Sequence, residues 1–297
     1  MEERKYKVSI IIPHYNQEEC LGILLPSVAN QTYSDYEVII IDDCSPSKSV
    51  VDYIKSFIKN YENMRLIENT ENMRFIRTVN KGIKLANGQY VCLLNADTEV
   101  RNNFIERNVK ILDADSSIAA LSCIIVDRNG KNWFSGGILK SGVPVNLKDD
   151  FEGIRRVGFV AGTAAFYRKE IFNKIGFFDE KYRMYHEDVE FGLRVKTKTS
   201  YKACVFSEKL VTHYCVGSIP GAEAWYLINR NHLFVLRKYY PKYIPRALLL
   251  FYTREVIVPS LASILKLRLA NLPAKLVAAT RGILALIRGT IDGLVSK

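Results

Sequence analysis

The first hundred residues alternate between short, nearly continuous apolar runs and longer stretches whose apolar positions recur at helical spacing. Residues 8–12, 36–41, 64–67 and 90–94 read as strands. Residues 18–29, with Leu21, Leu24, Leu25 and Val28 on one face, read as a helix, as do 47–61 and 74–85, the last closed by Asn87-Gly88. Strands that are apolar on both faces and separated by amphipathic helices imply a parallel sheet covered on both sides. From about 118 to 215 the rhythm is less regular. Short strands are expected at 119–126, 133–138, 164–167 and 202–206, and Gly136-Gly137 and 158–162 mark loops that pass close to a ligand or another backbone. Residues 222–240 return to helical spacing. A boundary is placed near Pro241, and beyond it 247–269 and 275–294 are apolar segments studded with single Arg or Lys.

The pattern therefore predicts an α/β sandwich over residues 1–240, divided into halves of about 1–115 and 116–240, followed by a helical tail over 241–297. Composition changes this picture in one respect. A hydrophobic fraction of 48% and a charged fraction of 25% are ordinary for a folded chain of 297 residues, but 42 Lys and Arg against 31 Asp and Glu give a net charge of +11. Most of that excess lies late. From Arg237 onward eleven Lys and Arg face only Glu255 and Asp292, which points to an anionic partner such as a lipid surface or nucleic acid. Six cysteines fall in no C-x-x-C spacing and read as small core residues. The charged residues 1–7 run straight into a strand, so no secretory signal is expected, and no uninterrupted stretch of 18 apolar residues appears. A reduced, cytoplasmic setting follows as the expectation.

Candidate chemistry gathers just after the strands: Pro13-His14-Tyr15-Asn16 after the first, Asp42-Asp43 after the second, Asn95-Ala96-Asp97 after the fourth. Ligands of open α/β sheets bind where such loops converge, at the carboxyl ends of the strands. No G-x-G-x-x-G follows the first strand, and the glycines at 137 and 142 have Val143 where a phosphate-binding loop needs Lys, which excludes the usual dinucleotide and nucleoside-triphosphate loops. Pro, Tyr and Asn in their place suit a base or ribose held by stacking and hydrogen bonds. Asp97 fits two roles, a hard oxygen ligand for a divalent cation or a cap on the next helix. Glu187, Asp188 and Glu190 fit both a solvated first helical turn and a general base held by its neighbours. His213, at the end of a strand-like run, fits a structural histidine or a metal ligand.

Taken in series, these segments resemble the inverting GT-A glycosyltransferases of family 2, in particular their rhamnosyltransferase-like, non-processive branch. The run from Val8 to Asn16 resembles the family's opening, Asp42-Asp43-Cys44-Ser45 its nucleotide-contacting D-D-x-S, and Asn95-Ala96-Asp97 its metal-binding D-x-D variant. Gly176 to Glu180 followed by Glu187-Asp188 is similar to its acceptor-side E-D motif, and order and spacing are kept over about 7–240. Arg74 and Cys44 stand where the branch has a small residue and a glycine, and the Q-x-x-R-W motif of processive synthases is absent. The resemblance implies a GT-A-type α/β/α sandwich with a mostly parallel central sheet. It implies a nucleoside-diphosphate sugar held by Pro13, Tyr15, Asn16, Asp42, Asp43 (on the base), Arg77, Asn80 and Asn95. It implies Mg²⁺ or Mn²⁺ on Asp97 with His213 completing the site, Asp188 as catalytic base with Glu187 assisting, and a glycan or lipid-linked saccharide as acceptor.

Cations beside apolar helical faces in the tail suit an interfacial helix among anionic headgroups, so peripheral contact with the inner face of the cell membrane is expected; a helical pair packed in a dimer has the same pattern. The tail is aliphatic rather than interleaved with aromatics, which argues against nucleic acid. An inactive GT-A-like scaffold or carbohydrate-binding protein and a sugar nucleotidyltransferase are the alternatives; the latter needs a glycine-rich basic loop that residues 13–18 lack.

Overall fold

A computed structural model describes residues 6–214, 221–252 and 287–295. Its elements are β1 (Tyr6–His14), α1 (Glu18–Ala29), β2 (Tyr36–Asp42), α2 (Lys48–Ile58), β3 (Met64–Glu68), α3 (Phe75–Leu85), β4 (Gly88–Leu94), β5 (Thr98–Val100) and α4 (Phe104–Ala114). They continue with β6 (Ile118–Asp127), β7 (Asn132–Phe134), β8 (Gly137–Lys140), β9 (Val143–Asn146), β10 (Ile154–Val157), β11 (Ala164–Arg168), α5 (Lys169–Ile175), α6 (Glu187–Lys198) and β12 (Lys202–His213). The last are α7 (Gly221–Tyr239), α8 (Ile244–Tyr252) and α9 (287–295).

The main sheet runs β10-β12-β6-β11-β4-β1-β2-β3, with β5 on β12 and β7 on β6. Its β4-β1-β2-β3 portion is wholly parallel, as the two-faced apolar runs require: Ile10, Ile11, Ile12 and Ile39, Ile40, Ile41 have no more than 1% of their surface exposed. Parallel order brings all the carboxyl ends of these strands to one edge. His14 lies in register with Asp42, and Asp42 with Glu68. On the other side of β4 the sheet is mixed. Antiparallel β11 is inserted between β4 and β6, and β6 then pairs in parallel with β12.

Three sequence expectations shift. Residues 133–138 do not form one strand but divide into β7 and β8, because Ser135 and Gly136 pair with Leu147 instead of continuing the ladder. The strand expected at 202–206 runs on to His213, which carries that histidine to the site edge. Asn87-Gly88 does not cap α3: Ala86 is already extended, the Asn87 N–H is held by Glu37, and Gly88 opens β4 against the backbone of Val8 and Ser9, where a methyl group would stand 2.6 Å from the Ser9 nitrogen.

The chain forms two compact units, residues 1–138 with 145–216 and residues 139–144 with 217–297. In the second, Leu233 and Leu236 of α7 bury against Ala247 of α8. α9 lies on α7 through two glycines. A methyl group on Gly289 would come within 2.7 Å of the Tyr226 carbonyl oxygen, and one on Gly293 within 2.8 Å of Leu233 Cβ. Around that contact Asn229 donates to Thr290 (2.6 Å), Tyr226 to Asp292 (2.5 Å) and Arg237 to the Gly293 carbonyl (3.2 Å). The tail segments between residues 253 and 286 lie outside the described residues.

Candidate active site

The site begins at the carboxyl end of the parallel strands. After β1 the chain turns at Asn16 (φ 55°), whose N–H is held by the Ser45 hydroxyl at 2.7 Å, so the first two strand-end loops are tied together. Pro13 is buried within β1, beyond its last pairing with β4, and Tyr15 stands 43% exposed at the edge. Asp42 receives the Ser45 N–H and lies 3.4 Å from Nε2 of His14, a fully buried imidazole whose pKa burial pulls down to about 4, against the opposing pull of Asp42 and Asp43. His14 is therefore neutral at physiological pH.

Asp43 organises the next loop. One carboxylate oxygen accepts from Asn69 Nδ2 (2.8 Å), the Met73 N–H (2.8 Å) and the Thr78 hydroxyl (2.9 Å); the other accepts from the Arg74 N–H (2.9 Å). Four donors on one buried carboxylate fix the chain between β3 and α3. They also hold Arg74 at φ 71°, ψ 162°, a conformation that is essentially the preserve of glycine. Any contact of Asp43 with a base would share lone pairs already in use. The D-D-x-S pattern pointed to Asp43, but nothing in it pointed to Asn69 or Thr78.

Arg77 and Asn80, on α3, engage the segment before α6. Asn80 is 2% exposed and bonds both the N–H and the carbonyl of Phe178 (3.1 and 2.9 Å), while Arg77 Nε meets Glu180 at 3.0 Å in solvent. Their side chains thus join α3 to the segment before α6.

Beyond β4, Asn95 accepts nothing on its side-chain oxygen, which is buried, and its N–H is held by the Thr163 carbonyl at 2.9 Å. Asp97 follows. Its Oδ2 lies 3.2 Å from Nε2 of His213, and the two residues are 7% and 8% exposed. The pairing of His213 with Thr98 and the bond from the Tyr214 N–H to the Asp97 carbonyl (2.9 Å) hold the end of β12 against this turn. Trp133 meets the imidazole edge-on, ring centres 4.4 Å apart. A hard carboxylate oxygen and an imidazole nitrogen at this separation are a donor pair that could serve a divalent cation. Among the described residues no three metal-ligating side chains gather.

Glu187 and Asp188 open α6, where the helix dipole favours acids. They are not a solvated turn. Glu187 is 9% exposed, and burial, then the neighbouring Asp188, push its pKa to about 8; its Oε2 is buried with no hydrogen-bond partner. Asp188 remains partly accessible. Burial raises its pKa, while the N–H groups of Gly162 (3.3 Å) and Val189 (2.7 Å) favour its charged form. The preceding Arg183, Tyr185 and His186 all have positive φ, so the turn into the helix is strained. At Gly192 a methyl group would stand 2.4 Å from the Gly158 carbonyl oxygen, so α6 lies against the 158–162 loop with no room for a side chain.

One short path links the two clusters. Asp188 is bonded to Gly162, and the next residue, Thr163, is bonded to Asn95, two positions before Asp97. A strand-end carboxylate–imidazole pair, an acid pair tied to it through Gly162 and Thr163, and a loop braced on Asp43 thus gather at the carboxyl ends of the strands of a mixed α/β sheet. The profile of the family described as Glycosyl transferase family 2 matches residues 9–176. The chain belongs to that family. Among family relatives, an uncharacterized glycosyltransferase of Haemophilus influenzae is 26% identical over 63% of this chain and 59% of its own length. The amylovoran biosynthesis glycosyltransferase AmsB of Erwinia amylovora is 25% identical over 70% and 69%. In structure the chain is similar to S. aureus TarS residues 1–349 in complex with UDP-GlcNAc, with a TM-score of 0.59 and 20% identity over 77% of this chain and 66% of that one. The family 2 chain described here therefore has the GT-A fold, and it spans about three fifths of the length of the Haemophilus relative.

Proposed function

We propose that this chain is an inverting glycosyltransferase of the rhamnosyltransferase-like, non-processive branch, moving a sugar from a nucleoside diphosphate to a hydroxyl of a glycan or lipid-linked acceptor. The observation that supports this reading is the Asn95–Thr163–Gly162–Asp188 connection, which ties the start of α6 to the turn that carries Asp97. Glu187 keeps its proton at neutral pH, because its buried charge would lie beside that of Asp188. Asp188, whose charged form two N–H groups favour, is the member of the pair assigned to take the proton of the acceptor hydroxyl as that oxygen attacks the anomeric carbon. A single in-line displacement inverts configuration. A divalent cation bound by Asp97 and His213 would supply Lewis-acid stabilisation of the departing diphosphate. The loop braced on Asp43, with Tyr15 and Asn16, forms the shelf for the nucleotide.

The basic surplus after Arg237 supports a peripheral position on an anionic membrane face. So does α9: Ile287, Ile291, Leu294 and Val295 are 39%, 54%, 37% and 69% exposed along one side, opposite the glycines that meet α7. Among the described residues no helix is long and apolar enough to cross a membrane. The deciding experiment is nucleotide release from UDP-, dTDP- and GDP-sugars with Mn²⁺ or Mg²⁺, alone and with a membrane lipid extract. Release from one donor that requires metal and is lost in Asp188→Asn is the expected result. Release that survives in Asp188→Asn would remove that residue from the base role.

A further inference from the structure

Trp133 has no part in the reaction described above, yet it touches the centre of the site. β7 pairs with β6 through Ile125–Phe134 and then Val126–Asn132, so the register steps and Trp133 is the extra, unpaired residue. Such bulges turn one side chain away from the strand's alternation and are common beside active sites. The neighbouring Phe134 is fully buried in the core, whereas Trp133 keeps part of its surface exposed and sets its ring against His213 at 75° and 4.4 Å. An indole left partly open to solvent forgoes burial of a large apolar area, and here it does so beside a carboxylate–imidazole pair.

We propose that Trp133 is the platform on which a pyranose ring packs at the Asp97–His213 pair. This rests on the glycosyltransferase reading. Sugar rings present apolar C–H faces between their hydroxyls, and an aromatic surface beside polar groups is the recognition chemistry that suits them. The ring bonded through its anomeric oxygen to the diphosphate, or the acceptor ring that approaches it, would lie next to whatever His213 holds. Trp133 faces away from the buried Phe134, as neighbouring residues of a strand do, and its ring meets the His213 imidazole.

The chain has two tryptophans, Trp133 and the exposed Trp225, so Trp225→Phe leaves one fluorophore at the site. In that background, with Mn²⁺, emission is followed on titration with UDP, with UDP-glucose, UDP-N-acetylglucosamine and dTDP-rhamnose, and with methyl glycosides added to the UDP-bound protein. Calorimetry gives the affinities of Trp133→Phe and Trp133→Leu. A nucleotide-sugar that changes emission where its nucleotide alone does not identifies the donor ring. A change on adding a methyl glycoside to the UDP-bound protein identifies the acceptor ring. Trp133→Leu should weaken sugar-dependent binding by roughly three- to tenfold, with nucleotide affinity within about twofold of the parent and Trp133→Phe close to it. Equal weakening of nucleotide and nucleotide-sugar in Trp133→Leu would reduce Trp133 to a support for His213, and so would unchanged emission with every sugar. Absence of nucleotide binding in the parent would overturn the glycosyltransferase reading, and the platform with it.

Discussion

The side-chain amide of Asn80 bonds both backbone groups of Phe178, giving a hydrogen bond to its carbonyl at 2.9 Å and taking one from its N–H at 3.1 Å, across 98 residues of sequence. α3, which hangs from Asp43, is thereby locked to the segment that leads into Glu187 and Asp188. Asn80→Ala leaves an N–H and a carbonyl unpaired in a buried position and should cost about 2–4 kcal/mol of stability. The exposed pair that Arg77 of the same helix makes with Glu180 gives the comparison: Arg77→Ala should cost under about 1 kcal/mol. Urea midpoints of the two variants check this, and equal losses would show that the buried clamp is not what joins the helix to the loop.

Arg74 occupies backbone space that suits glycine, because Asp43 holds its N–H in place. Arg74→Gly should therefore raise stability by about 1 kcal/mol, the relief of strain exceeding the added freedom of the unfolded chain. That corresponds to roughly 1–2 °C in Tm for a chain of 297 residues. Arg74→Ala keeps the strain and should show no such rise. A melting curve for each variant decides the point.

Glu187 gives stability a pH dependence with a defined sign. Its folded pKa of about 8 lies above the ordinary value of 4.5. Below the ordinary value both states hold the proton and the group contributes nothing against folding. As pH rises toward 8 the unfolded chain ionises while the folded chain does not, so stability is lost across that window and then levels off. Glu187→Gln cannot ionise. Its Tm advantage over the parent should widen steadily between about pH 5 and pH 8, whereas an offset independent of pH would place the proton elsewhere.

The parallel half of the sheet was legible because each strand there is apolar on both faces and each is followed by a helix of clear period. The insertion of β11 between β4 and β6 was not. A five-residue apolar run carries no mark of its direction, and Ala164–Arg168 could equally have continued the parallel order. At the site, Asp97, His213, Glu187 and Asp188 stood out by type and position. Their burial did not, since the spacing of the acids at the start of α6 favoured a solvated turn, and only the structure brings the 158–162 loop against them. Glycines at 158 and 162 were the available signal, and they mark that covering loop. Trp133 gave no sign, because a bulge is a property of the pairing and not of either strand alone.

α9 offers a test of membrane contact separate from catalysis. The protein should sediment with vesicles containing phosphatidylglycerol, be released by salt, and stay in solution with pure phosphatidylcholine. Ile291→Glu, on the exposed side away from Gly289 and Gly293, should weaken that binding several-fold without lowering Tm. Equal behaviour with both lipids would point instead to a self-association surface.

Asp97 and His213 face each other across 116 residues of chain, and β6 and β12, which position the histidine, are likewise far apart in sequence. During synthesis the carboxylate emerges long before its partner, and the parallel β6–β12 ladder that positions that partner is the slow kind to form. The Asp97–His213 contact therefore needs the last strand of the sheet in sequence, and can form only once that strand has been made. Its loss should correspondingly be an early sign that the fold is opening.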